Sequence, residues 1–164
     1  MLTTQSLSQT VKKLERLCNT LYSRLFMPVG EAEQLGLYET KEALHGIPAE
    51  GPWSAPGARW GGEGVYGWFR FGYTVPEALA GKALFLRPRM GFYEATLWVN
   101  GRIHSNYAAK FVEDSHGNHW CNRLTASAEA GEHFDLAIEC YAWHDVPGTH
   151  PLSEERLEIG RAHV

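Results

Sequence analysis

The chain has 164 residues, 44% of them apolar and 21% charged, with a formal net charge of −4. That length suits one domain with a real core, and no run approaches the ~18 apolar residues of a membrane-spanning helix. The basic residues are scattered, which argues against a nucleic-acid partner, and the opening MLTTQSLSQTVKKLERL lacks the basic start and apolar block of a secretory signal.

Residues 1–27 read as an amphipathic helix. Leu7, Val11, Leu14, Leu17, Leu21 and Leu25 form an apolar stripe at steps of three and four, while Lys12, Lys13, Glu15 and Arg16 take the wet side. Thr4, Ser6 or Ser8 is placed to cap the start, and Pro28 with Gly30 ends it. An isolated amphipathic helix must bury its stripe. Docking on the sheet domain is expected, with a neighbouring domain or subunit as the alternative.

Residues 28–64 are rich in Gly, Pro, Ala and Glu and too punctuated for long regular elements. Glu31–Leu37 is their one candidate for a short helical turn. Trp53 and Trp60 mark the stretch as an ordered connector pinned to the sheet. Its GARWGGEG segment lacks the lysine-serine and helix of a phosphate loop, so it reads as a turn.

Residues 65–150 carry the β pattern. From Val65 to Val75, the row Val65, Gly67, Phe69, Phe71, Tyr73 and Val75 alternates with Tyr66, Trp68, Arg70, Gly72 and Thr74. That alternation sets one row on a core and one outside. Pro76 stops the ladder. Ala83–Arg87 is a second run. Tyr93–Val99 is a third, with Ala95, Leu97 and Val99 on one face, and Asn100-Gly101 then marks a tight hairpin. Ile103–His104 begins the return strand. Turns at residues 114–118 and 129–132 separate the runs 110–113, 119–124 and 133–143. In the last of these, Phe134, Leu136, Ile138, Cys140 and Ala142 face inward and Asp135, Glu139 and Tyr141 outward. This strand density predicts a mostly β fold, an antiparallel β-sandwich of jelly-roll type with one N-terminal helix.

Residues 151–164 do not continue the pattern. Residues 158–164, EIGRAHV, look like the translation of a common sequencing-library adapter, which predicts a reading frame cut off mid-gene; a real polar tail is the alternative.

Cys18, Cys121 and Cys140 show no paired spacing, which suggests reduced thiols. The six tryptophans suit core or interface packing, and they also suit stacking on sugar rings. Trp68, Trp98 and Trp143, on predicted outer rows, are the carbohydrate or interface candidates. His116, His119 and Cys121 are the residues from which a metal site would be built. A polar turn is the competing reading, since zinc needs three or four ligands with oriented support. Adjacent His144-Asp145, Glu113-Asp114 and Glu154-Glu155 point opposite ways on an extended chain and make no catalytic pair. No catalytic residue is assigned.

WFRFGYTVPEALAGKALFLR followed by ATLWVNG resembles the galactose-binding-like jelly-roll domains that accompany many glycoside hydrolases. With Trp60-Gly61, GVYGWFRF and SRLFMPVG, residues 8–150 are similar to the amino-terminal region of family 38 α-mannosidases of the cytosolic and vacuolar type. The resemblance implies a zinc-dependent retaining parent enzyme that cleaves α-linked mannose in the cytoplasm. Its zinc motif contains His-x-Asp in a downstream catalytic domain. No residue of this stretch is assigned to that motif, so no cofactor is expected here and zinc only in the missing domain. The implied role is an accessory β-domain whose partner is that catalytic domain, with a homo-oligomer and glycans as further partners and no membrane partner. A stand-alone carbohydrate-binding or interaction module, or the accessory domain of another jelly-roll glycosidase such as a β-galactosidase or rhamnosidase relative, is the alternative.

Overall fold

The computed structural model describes residues 4–57, 59–92, 94–108, 121–142, 150–151 and 157–162. It is an antiparallel β-sandwich preceded by one helix, α1 (Thr4–Leu25). The strands are β1 (Phe26–Glu31), β2 (Glu33–Thr40), β3 (Arg59–Trp60), β4 (Tyr66–Thr74), β5 (Leu84–Pro88), β6 (Glu94–Val99), β7 (Arg102–Ala108), β8 (Asn122–Thr125), β9 (His133–Tyr141), β10 (His150–Pro151) and β11 (Leu157–Ala162). One sheet runs β2-β4-β9-β6-β7, the second β1-β11-β5-β8, and β3 pairs with β10.

The alternation read over residues 65–75 becomes β4, with Phe69, Phe71, Tyr73 and the following Val75 buried. They meet Leu97, Leu136, Ile138 and Cys140 from the same sheet and Leu84 and Leu86 from β5 in a single core. Asn100 and Gly101 take φ of 50° and 76°, the left-handed pair that a tight β6–β7 hairpin needs. Tyr107 ties the two sheets together, because its buried hydroxyl donates to the Leu86 carbonyl at 3.1 Å.

Three expectations change. The connector carries most of β1 and all of β2 and β3, and β1 and β2 replace the helical turn expected at Glu31–Leu37. Pro28 and Gly30 flank a bulge in β1, an edge strand, where proline is tolerated. Residues 33–36 bulge in β2, also an edge, with Gln34 at φ 52°. The chain from residue 157 to 162, expected to lie outside the sandwich, is a strand between β1 and β5.

The third change concerns the helix. Leu7, Val11, Leu14, Leu17 and Leu21 are 45–55% exposed, so the stripe does not dock on the sandwich. The helix runs straight into β1 at Phe26 and touches the sandwich chiefly there.

Trp60 closes the core from the connector. It is buried, stands edge-on to Phe69 at a centroid distance of 5.4 Å, and its indole N–H donates to the Met90 carbonyl. Gly67 makes room for it: a Cβ there would lie 2.5 Å from two ring carbons of Trp60. Gly67→Ala is therefore expected to destabilise the fold by about 1–3 kcal/mol through overpacking. The shift of the urea-unfolding midpoint measures it.

Candidate functional site

The outer face of the larger sheet gathers the polar and aromatic rows. Because β9 lies between β4 and β6, residues far apart in the chain become neighbours: Tyr66 pairs with Tyr141, Trp68 with Glu139, Thr96 with Glu139, and Glu94 with Tyr141. Of these, Tyr66, Glu94, Thr96, Glu139 and Tyr141, with Asn106 of β7, line a groove of about 470 Å³, inside the ~300–1,000 Å³ range of small-molecule sites. The Tyr66 and Tyr141 rings lie 4.8 Å apart and tilted by 34°, half-buried at one wall. Glu94 and Glu139 sit diagonally across β6 and β9, so folding creates a carboxylate pair on neighbouring strands.

Glu139 is the chemically perturbed member. Partial burial pushes its carboxyl above the ordinary carboxylate range. The Trp98 indole N–H acts on it from outside hydrogen-bond geometry and offsets only part of that rise. A folded-state value raised above the unfolded one means that stability falls as pH rises from the unfolded value through the folded one. Glu139→Gln is thus expected to raise the thermal midpoint at about pH 8 and leave it nearly unchanged at about pH 3.5. Equal shifts at both pH values would refute the assignment.

Of the aromatic candidates, Trp68 occupies the outer row but is 0% exposed. It sinks between Tyr38 of β2 and Glu139 of β9, with Trp98 at 6.0 Å between ring centroids, so it offers no face for a sugar to stack on. Trp98 is half-buried beside the groove. Trp143 lies outside the described residues. So do His116 and His119. Cys121 is half-buried and in no disulfide. Among the described residues no three His, Cys, Asp or Glu side chains converge as a metal site. Burial pushes the Cys140 thiol well above its ordinary value, which makes it an inert core group.

A second, polar groove of about 680 Å³ lies farther along the same face, lined by Glu33, Trp53, Arg70, His133 and Asp135 among others. Its charges are largely spoken for. Arg70 pairs with Asp135 at 3.2 Å, Glu33 accepts from the Thr74 amide at 3.0 Å, and His133 Nδ1 lies 3.0 Å from the Thr74 hydroxyl.

Glu139 and Tyr141 were legible as outward residues, whereas Glu94, Thr96 and Asn106 were not expected at any site. Only the non-sequential order β4-β9-β6 brings them there. Among the described residues no helix is long and apolar enough to cross a membrane.

No protein-family model matches the chain, and no curated protein matches it. Solved structures similar to it include a Faecalibacterium prausnitzii β-glucuronidase, at 18% identity and a TM-score of 0.49 over 71% of this chain and 21% of that one. A β-glucuronidase from Ruminococcus gnavus is similar at 12% identity and a TM-score of 0.48 over 82% of this chain and 25% of that one. An FMN-binding β-glucuronidase from F. prausnitzii L2-6 is similar at 16% identity and a TM-score of 0.48, over 83% and 22% respectively. The chain thus spans about a quarter or less of the length of these proteins.

Proposed function

We propose that this chain is a non-catalytic accessory β-sandwich domain of a glycosidase. Within that class, we assign the parent to the family 38 α-mannosidases, with a zinc-bearing catalytic domain downstream in the same cytoplasmic polypeptide. One observation supports the reading: the resembling segments fall on the strands in the order the resemblance requires. The aromatic-basic run is β4, Val75-Pro76 ends it, the leucine-rich run is β5, and ATLWVNG is β6 with its hairpin. The decisive experiment is to recover the uninterrupted genomic frame beyond residue 157. A catalytic domain with His-x-Asp is expected. A different glycosidase domain would overturn the mannosidase assignment and keep the accessory role, and a frame with no glycosidase domain would overturn both.

The groove favours a second reading, a sugar-binding module. The tilted pair Tyr66 and Tyr141 supplies aromatic surface at the groove wall, and Glu94, Glu139 and Asn106 supply hydroxyl partners. Titration with mannosides and galactosides, followed by tryptophan fluorescence, tests it through Trp98 at the groove's edge. No spectral change at millimolar sugar would count against binding.

A further inference from the structure

The groove at the Tyr66 end of the larger sheet lacks a positive charge. Glu94 and Glu139 both line it, and none of the described residues lining it is Lys, Arg or His. Arg70, farther along the outer row of β4, is taken by Asp135 at 3.2 Å. Burial raises the Glu139 carboxyl, and no cation among the described residues relieves it. A carboxylate withdrawn from water ordinarily has a cation or several donors beside it.

Donors are present but idle. Trp68 and Trp98 each bury an indole N–H that has no acceptor among the described residues. Trp68 is 0% exposed and stands directly across from Glu139 in the β4–β9 register. Trp98 faces Ala137, two residues before Glu139 on β9, and its N–H already acts on the Glu139 carboxyl. Buried donors without an acceptor need an explanation. An ionised Glu139 supplies one, because a carboxylate accepts charge-assisted bonds that a protonated carboxyl makes poorly. What the groove lacks is the counter-charge that holds Glu139 in that form.

We propose that the groove binds a ligand carrying a protonated amine, with the ammonium set against Glu94 and Glu139 and the rest of the ligand against Tyr66 and Tyr141. An ammonium has only donors to offer, and Glu94, Glu139 and the Asn106 amide oxygen are acceptors that line the groove. The tyrosine pair suits an organic cation, since ring quadrupoles attract one that reaches their faces. A hard metal ion fits less well. Calcium takes roughly 6–8 oxygen ligands, whereas among the described residues no three acidic, His or Cys side chains converge. The sugar-binding reading, on which this ligand class rests, makes the ligand an amino sugar. An amine without a sugar ring offers the same charge from another source.

Isothermal titration of the whole 164-residue chain at about pH 6.5, where aliphatic amines are charged, separates these sources. Glucosamine is expected to bind in the millimolar range or tighter. N-acetylglucosamine, whose nitrogen is neutral, is expected to bind at least ~10-fold more weakly. Glu94→Gln and Glu139→Gln keep the side-chain shape, and each is expected to weaken glucosamine about 10-fold with an unchanged near-ultraviolet spectrum. Glu94 is exposed, so its variant decides the matter should Glu139→Gln disturb the fold. Cyclohexylamine binding as tightly as glucosamine, with the same loss in both variants, upholds the amine site and overturns the sugar body. Glucosamine and N-acetylglucosamine binding alike overturns the amine site and keeps the sugar-binding reading. Glucosamine binding that survives both substitutions sets the ammonium elsewhere and also overturns the amine site. Binding of none of the three compounds overturns the amine site and the sugar-binding reading together.

Discussion

Trp60→Ala is expected to remove about 3–5 kcal/mol of folding stability, the usual loss for a buried tryptophan. Trp60 fills the space above Gly67, meets Phe69 edge-on, and satisfies the Met90 carbonyl from within the core. Alanine would leave a cavity and an unpaired buried acceptor together. The expected result is a large fall in the urea midpoint at an unchanged slope. The cycle with Gly67→Ala sharpens the test. In native protein the added methyl collides with the indole, whereas in Trp60→Ala it enters vacated space. The cost of Gly67→Ala should then vanish or reverse, leaving a coupling on the order of 1–3 kcal/mol. Additive losses would mean that the collision is relieved some other way.

Ending the chain at Pro151 is expected to have a comparable or larger effect. Without β11, five main-chain partners in β1 and four in β5 lose their neighbours. At roughly 0.5–1.5 kcal/mol per net hydrogen bond, that loss approaches the ~5–15 kcal/mol that stabilises a typical domain. Two unpaired edges are also exposed, and exposed edges recruit other chains. The truncated protein should lose cooperative thermal unfolding and aggregate in light scattering. Replacing residues 157–162 with an alternating Thr-Val strand of equal length should restore a cooperative transition, because the slot is defined by backbone pairing. Failure of that replacement, with native residues succeeding, would show that the side chains of the strand matter.

The parts of the fold legible in the sequence are those where alternation runs unbroken for several residues. β4 and β9 each alternate over nine residues, and Asn100-Gly101 announces the hairpin through a conformation few other residues adopt. β1 and β2 were hidden by Pro28, Gly30 and Gly36, which break the period and normally argue against a strand. Both tolerate the breaks because they are edges with bulges. The amphipathic helix was plain in the sequence, but its covering surface was not, since periodicity says that a face must be buried and not by what. The site shows the same limit. Alternation assigned Trp68 correctly to the outer row and said nothing of Tyr38 and Trp98, whose neighbourhood closes over it. The groove depends on which strands become neighbours, and β9 lies about 35 residues or more from both of its partners.

That interleaving has a kinetic side. In the larger sheet β4 and β6 share β9, and in the smaller one β1 and β5 share β11. During synthesis both flanking strands of each sheet emerge before the strand that joins them. Neither layer can close early, and the apolar rows of β4 and β5 wait on partners still to be made. Topologies dominated by such distant pairings fold slowly and hold sticky intermediates. For this chain the hazardous interval falls between the emergence of β8 and that of β11, when most of the core is present and two of its seams are still open.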